Sequence, residues 1–199
     1  MCGRYHLSGS AAAQAAEILA DPDLSLELRL TERDIRPGDK APVILGDRRK
    51  DSLYLDWQTW GFPSPHGKGL LINARAETVT EKPSFREGMR HFRALLFGTY
   101  FYEWNRAKEK FTFRQKDRCA LFMAGICRIF PDGPHFVILT TPANASMAPV
   151  HDRMPLVLEK EEIRDWIFDE KRAGELLHKL PGPLEKSCDY EQQTLFDLL

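Results

Sequence analysis

The middle of the chain is a succession of short apolar or alternating segments, and this pattern constrains the fold more than any other feature. Such segments predict β-strands, and they lie at 43–45, 53–60, 94–104, 110–115, 119–130, 135–140 and 155–158. Helices are predicted over 11–20, which Ser10 caps, and over 160–180. Because the strands do not alternate with long helices, the sequence predicts an α+β fold and not a doubly wound sheet.

The composition is that of an ordinary globular protein. Its 199 residues predict one domain over 2–180, and Pro181-Gly182-Pro183 separates this domain from a tail, 181–199. The net charge of −1 argues against an overall basic surface, so any DNA binding requires a local patch. We expect a cytoplasmic protein, since neither a membrane span nor a secretory signal is found in the sequence.

The cysteine spacing and the motifs argue against a metal or an organic cofactor. The four cysteines show no paired metal-binding spacing, and they are expected to be reduced thiols. Two of them, Cys119 and Cys127, are predicted to be buried in strands. Dinucleotide-binding, Walker and nucleophile-elbow motifs are not found in the sequence, so no cofactor is expected.

Cys2 follows Met1, and removal of this methionine would leave a free α-amine and a thiol on adjacent carbons. An internal cysteine has only an amide nitrogen, which is not nucleophilic. A 1,2-aminothiol can condense with an aldehyde through nitrogen to a Schiff base and then close through sulfur to a thiazolidine. From the residue alone, an incidental cysteine after the start remains the alternative.

Several polar clusters lie at predicted strand ends. Asn73, Arg75 and Glu77 alternate, so they would share one face of an extended segment. Glu103 is a carboxylate among aromatic residues and is suited to general acid–base work, and His151 lies in a loop between apolar segments. Residues 82–93 combine cations with phenylalanines, which suits a single-stranded nucleic acid. For each cluster a purely structural role remains open.

Taken together, these motifs resemble the SOS response-associated peptidase (SRAP) family, whose members process abasic sites in DNA. The resemblance rests on Met1-Cys2-Gly3-Arg4, Trp60-Gly61, Asn73-Ala74-Arg75-Ala76-Glu77, Lys82-Pro83-Ser84-Phe85, Phe101-Tyr102-Glu103-Trp104, Ala124-Gly125 and His151-Asp152-Arg153-Met154-Pro155, in this order. It implies a single compact α+β domain with a β-barrel-like antiparallel core flanked by helices, and a positively charged cleft for single-stranded DNA.

The resemblance also implies roles for individual residues. Cys2 would form a thiazolidine crosslink with the abasic-site aldehyde and so shield the lesion, while Glu103 would move protons. His151 would assist opening of the sugar ring, and Asn73 would orient Cys2 or the sugar. The DNA-binding candidates are Arg4, Trp60, Arg75, Ser84, Arg86 and Arg153. No metal or cofactor is implied, and a monomer suffices.

The tail contains Gln192-Gln193-Thr194-Leu195-Phe196, which is similar to the peptide by which bacterial repair proteins bind the sliding clamp. Gln192, Leu195 and Phe196 would make the contacts, and such a protein would act in the cytoplasm at the nucleoid. The alternative is a last amphipathic turn packed on the core.

Two rival functions use the same residues. Cys2 could be the nucleophile of an N-terminal-nucleophile peptidase or amidase, with removal of Met1 as one of its reactions. Alternatively, the protein could read damaged DNA without forming a covalent bond.

Overall fold

The computed structural model describes residues 2–19, 32–116 and 118–188. The helices of these residues are α1 (Gly9–Leu19), α2 (Pro83–His91), α3 (Ile163–Phe168) and α4 (Glu170–Leu176), with single 3-10 turns at Ala76–Thr78 and Lys160–Glu162. The strands are β1 (Tyr5–Leu7), β2 (Arg33–Ile35), β3 (Lys40–Asp47), β4 (Ser52–Trp60), β5 (Phe62–Pro63), β6 (Leu70–Leu71), β7 (Asn73–Arg75), β8 (Arg93–Gly98), β9 (Tyr100–Trp104), β10 (Lys110–Arg114), β11 (Leu121–Phe130), β12 (Gly133–Pro142), β13 (Arg153–Pro155), β14 (Val157–Leu158) and β15 (Glu185–Cys188).

Five strands close into a barrel in the order β12, β4, β3, β8 and β11, because β11 also pairs with β12. The barrel strands are long and apolar, as the pairs Val43 with Leu96 and Gly125 with Ile138 illustrate. Most pairings are antiparallel, but β12 runs parallel to both β4 and β7. The predicted α+β class with a β-barrel-like core is therefore confirmed.

A second sheet packs beside the barrel in the order β15, β10, β9, β1, β2. Its inner face is a row of fully buried rings: Tyr5 is paired with Phe101, and Phe101 with Phe113. Alternation along β9 places Glu103 on this same inner face, whereas Tyr100, Tyr102 and Trp104 point to the outer face. This sheet thus brings the start of the chain and the Glu103 strand together.

The strand predicted over 94–104 is two strands, because the chain changes sheets between β8 and β9. At the change, the Thr99 amide donates to the His6 carbonyl at 2.7 Å. A side chain at Gly98 would lie 2.8 Å from that carbonyl and 2.9 Å from the Tyr5 ring, so the close crossing requires glycine. The segment 155–158 is likewise divided between β13 and β14.

The helix predicted over 160–180 is also interrupted. α3 ends before Asp169, whose extended backbone and carboxylate cap α4 by accepting the Arg172 amide. The guanidinium of Arg93 donates to the carbonyls of Trp166 at 2.6 Å and Ile167 at 3.2 Å, which satisfies the end of α3. The predicted apolar stripe of these helices is buried.

Two further expectations need correction. β15 pairs with β10 beyond the predicted boundary at residue 180, so the second sheet includes residues assigned to the tail. Cys119 is exposed and precedes β11, whereas Cys127 is buried within that strand. Within the described residues, no helix is long and apolar enough to cross a membrane.

Candidate functional site

Cys2 lies just before β1 and is 1% exposed. Its thiol approaches the Arg4 carbonyl at 3.9 Å, and its own carbonyl accepts a hydrogen bond from Asn73 Nδ2 at 3.1 Å. Burial, and after it the negative charge of Glu103, raise the pKa of the Cys2 thiol to about 12. In this form, with Met1 in place, the thiol is therefore protonated at neutral pH.

Glu103 is a buried carboxylate, 4% exposed, on the inner face of the second sheet. The register sets it opposite Phe111 on β10, two residues from the paired rings of Phe101 and Phe113. Its Oε1 accepts the Trp104 amide at 3.2 Å. Its charge contributes to the raised pKa of the Cys2 thiol, so the two groups are neighbours in the buried interior.

Asn73 begins β7, which pairs with β12 and so holds the amide beneath Cys2. Its Nδ2 binds the Cys2 carbonyl, while its buried Oδ1 has no partner among the described residues. A buried amide oxygen without a partner is costly, so it is available to a donor on an incoming ligand. Arg75, two residues on, is exposed.

The expected shared face of Asn73, Arg75 and Glu77 is not formed. The chain leaves β7 after Arg75 and enters a 3-10 turn, so Glu77 is no longer part of an extended segment. Both Glu77 oxygens instead bind the guanidinium of Arg153, one of them at 2.8 Å. Arg153 also donates to the Thr140 carbonyl at 2.6 Å. The hydrogen bonds from Arg153 hold the pKa of Glu77 below its usual range.

His151 lies in the loop before β13 with its side chain 24% exposed. Its Nδ1 is 2.9 Å from both the Arg153 amide and the Asp152 carboxylate. In the neutral ring, Nδ1 accepts the amide proton and Nε2 carries the N–H.

An open groove of about 730 Å³ runs beside His151. Trp104, which directly follows Glu103, lines it with an indole that is 37% exposed, and Arg106 adds a cation. The groove is therefore lined by an aromatic ring, a cation and the His151 loop. Trp104 was not predicted as a binding residue from the sequence, although its alternation with inward-facing Glu103 was the available signal.

Trp60 is a core residue and presents no surface for stacking. It is 0% exposed, its ring packs against Tyr5 at 5.4 Å, and its indole N–H donates to the Ile72 carbonyl at 2.9 Å. The bond to Ile72 positions the start of β7, and hence Asn73. Its contribution to the site is structural, which corrects the expected role in DNA stacking.

Arg4 is bound to Asp34 through Nη2 and through Nε at 2.8 Å. His6 Nδ1 at 2.9 Å and the Tyr102 hydroxyl at 3.2 Å bind the other oxygen of the same carboxylate. Burial opposes ionisation of Asp34, but the hydrogen bonds from His6 and Arg4 outweigh it and hold the pKa of Asp34 below its usual value. The role of Asp34 in joining these three side chains was not predicted from the sequence.

The other predicted residues lie apart from Cys2. Ser84 and Arg86 are on α2, where Arg86 lines a separate pocket with Arg90, Arg93 and Glu170. Gln192, Leu195 and Phe196 fall outside the described residues. Among the residues that the structure describes, no group of three or more histidine, cysteine or acidic side chains is arranged to hold a metal ion.

Comparison with known proteins identifies the family. The family model described as SOS response associated peptidase (SRAP) matches residues 1–192. The chain is 32% identical over 190 residues to the abasic site processing protein YedK of Escherichia coli K12, covering 88% of this chain and 85% of that protein. It is 31% identical over 199 residues to the abasic site processing protein YoqW of Bacillus subtilis 168, covering 93% and 88%. The chain belongs to the SRAP family, as its sequence motifs predicted.

Solved structures show the same fold. A crystal structure of a Bacteroides thetaiotaomicron protein superposes with a TM-score of 0.77 at 23% identity, covering 94% of this chain and 91% of that one. A phage-related protein from Bordetella bronchiseptica gives 0.72 at 24% identity, covering 94% and 93%.

Proposed function

We propose that this protein processes abasic sites in DNA by capturing the lesion covalently through Cys2 after removal of Met1. The observation that carries the proposal is the buried position of Cys2, whose carbonyl accepts from Asn73 and whose thiol is under the charge of Glu103. Relatives whose names describe abasic site processing share about a third of its residues over most of the chain.

Nitrogen reacts before sulfur in this mechanism. A free α-amine has a pKa of about 7.7–8.0, so roughly a tenth of it is neutral at pH 7, whereas the buried thiol is protonated. The amine attacks the aldehyde of the ring-opened sugar and loses water to give a Schiff base. The thiol then closes the thiazolidine ring.

The neighbouring groups have distinct tasks. Glu103 accepts the proton that the amine loses and returns it to the departing water. His151 donates from Nε2 towards the sugar ring oxygen during ring opening, because its Nδ1 is occupied by the Arg153 amide. Asn73 fixes the Cys2 carbonyl and offers its Oδ1 to a sugar hydroxyl.

Single-stranded DNA would lie along the groove. Trp104 supplies a stacking face for a base, and the exposed cations Arg75 and Arg106 contact phosphates, which position the strand without reading its sequence. Ser84 and Arg86 on α2 would contact the strand farther along. Arg4 and Arg153 are committed to Asp34 and Glu77, so they chiefly stabilise the site.

A denaturing gel tests this function. We would incubate the full chain, with Met1 shown absent by intact mass, with an oligonucleotide carrying one abasic site. A heat-stable shifted band is expected for the wild type and for Cys119→Ala, which removes an exposed thiol, but not for Cys2→Ala. Absence of the band in the wild type would overturn the proposal. Peptide hydrolysis without DNA would then favour the peptidase.

Clamp binding by the tail is a separate part of the proposal. We propose that the protein acts as a monomer in the cytoplasm, at the nucleoid. Deletion of residues 190–199 should leave the crosslink unchanged and abolish pull-down by the sliding clamp. Unchanged pull-down would refute clamp binding through Gln192, Leu195 and Phe196.

A further inference from the structure

One mouth of the barrel holds a pocket that the mechanism above does not use. It is lined by β4, by the last residues of β3 and β11, and by the first residues of β8 and β12. Its volume of about 280 Å³ is near the lower end for small-molecule pockets, which often lie in the mouths of barrels. Of the described residues, none lines both this pocket and the groove beside His151, so the two can bind different molecules.

Gln58 gives the pocket a buried acceptor that the protein itself does not satisfy. Gln58 is 3% exposed, and its Nε2 donates to Asp56 Oδ2 at 3.0 Å. Because a carboxylate can only accept, the amino end of the amide must face Asp56, and this orientation fixes Oε1 as the acceptor that is left over. That Oε1 is buried and has no hydrogen-bond partner among the described residues. Since an unmade buried hydrogen bond costs free energy, a ligand with an N–H donor would be stabilised here.

Asp56 places a second acceptor beside the first. Tyr54, Asp56 and Gln58 alternate along β4, so they share one face of the strand, and all three line the pocket. Asp56 Oδ1 accepts the Trp57 amide at 2.9 Å, and Oδ2 accepts from Gln58. A carboxylate offers about four acceptor sites, so it can accept further hydrogen bonds from a ligand. The wall thus matches a ligand that carries two adjacent donors.

The rest of the lining favours a flat and neutral ligand. The rings of Tyr54 and Phe92 are 46% and 43% exposed, and both line the pocket, where they offer faces for stacking. The cations Arg93 and Arg128 oppose a cationic ligand, whereas the carboxylate of Asp56 opposes an anionic one. The lining therefore selects a neutral ring with N–H donors on one edge.

We propose that this pocket binds a free guanine nucleoside, whose N1–H and 2-amino group donate to Gln58 Oε1 and the Asp56 carboxylate. Among the DNA bases, guanine is the one with two adjacent donors on its base-pairing edge. Adenine and cytosine would bring an acceptor nitrogen beside their amino group, and thymine has a single N–H between two carbonyls. The inference concerns a second site and does not depend on the covalent chemistry of Cys2.

Calorimetric titration of the full chain with guanosine tests the site. Guanosine should bind, whereas inosine, which lacks the 2-amino group, and 1-methylguanosine, which lacks the N1–H, should each bind about tenfold more weakly or worse. Adenosine, cytidine and thymidine should also bind more weakly than guanosine. This series uses the wild-type protein, so its result does not depend on how well any variant folds.

A matched pair of variants tests the role of Gln58. Gln58→Met keeps the length of the side chain but removes the acceptor, so it should weaken guanosine binding about tenfold. Gln115→Met is the control, because Gln115 is also buried with an unpartnered Oε1 but lies outside the pocket, and it should not change guanosine binding. Phe92→Ala should weaken guanosine binding without weakening single-stranded DNA binding. The melting temperature of each variant reports whether it is folded.

Three results would overturn the inference. They are a wild type that does not bind guanosine, equal binding of guanosine, inosine and 1-methylguanosine, and displacement of guanosine by oligothymidylate, a strand without guanine that would occupy the groove. The crosslinking gel is read independently, so failure of the guanosine site and failure of the proposed function are distinguishable.

Discussion

The ion pair between Glu77 and Arg153 joins the 3-10 turn that follows β7 to the start of β13, and Glu77→Ala should destabilise the protein measurably. The Arg153 side chain is only 10% exposed, so the substitution leaves a buried guanidinium without its carboxylate. Removing one partner of a fully buried pair costs about 3–5 kcal/mol. Because Glu77 is 38% exposed and water reaches it, we expect about half of that loss in the free energy of unfolding, ~2 kcal/mol.

Urea unfolding at pH 7 measures this loss directly. Glu77→Ala should lower the free energy of unfolding by about 2 kcal/mol and the melting temperature by roughly 4–8 °C. Glu77→Gln keeps one acceptor for Arg153 and should fall between the alanine variant and the wild type. Adduct formation should also slow in Glu77→Ala, because the backbone amide of Arg153 holds His151.

A stability for Glu77→Ala equal to the wild type would refute this reasoning. It would mean that the Thr140 carbonyl and solvent fully compensate Arg153 for the loss of the Glu77 carboxylate. Arg153 would then be free to contact DNA phosphates, as the sequence motif suggested.

Three further predictions follow from the site. Burial raises the pKa of the Cys2 thiol to about 12, so the wild type should lose stability from about pH 9 upward. In urea unfolding at increasing pH, its free energy of unfolding should fall by as much as ~1.4 kcal/mol per pH unit more than that of Cys2→Ala. Hydrogen bonds lower the pKa of Asp34, so its ionised carboxylate stabilises the folded protein above about pH 4, and this stabilisation is lost in acid. Asp34→Asn should therefore be less stable than the wild type at pH 7, and its free energy of unfolding should fall less steeply below about pH 4. Trp104→Ala should weaken single-stranded DNA binding about 10- to 100-fold in fluorescence titrations, whereas Phe92→Ala, on an exposed ring outside the groove, should not.

Local patterns were sufficient to predict the class of fold. Apolar runs located the barrel strands within a few residues, and Asn73, one of the predicted site residues, contacts Cys2 in the structure. The change of sheet at Gly98 could not be read locally, because the glycine is required by its close approach to Tyr5 and His6, which are distant in sequence.

The assignment of side chains to faces was the main failure. Both Trp60 and Trp104 are aromatic residues at strand ends, yet one is fully buried and the other lines the groove. Their burial depends on which sheet covers each strand, and this is a non-local property. From the sequence, Arg153 was interpreted as a phosphate contact, because its partner Glu77 lies 76 residues away in the chain and the pairing is not visible locally.

The chemistry of the adduct is the central claim, and the N-terminal tryptic peptide of the crosslinked protein tests it most directly. A thiazolidine predicts a peptide ending at Arg4 that carries the sugar remnant, resists alkylation at Cys2 because the thiol is consumed, and is not altered by borohydride. A peptide whose thiol still alkylates, or whose mass increases by two hydrogens on borohydride treatment, would show that the reaction stops at the Schiff base and would contradict ring closure by Cys2.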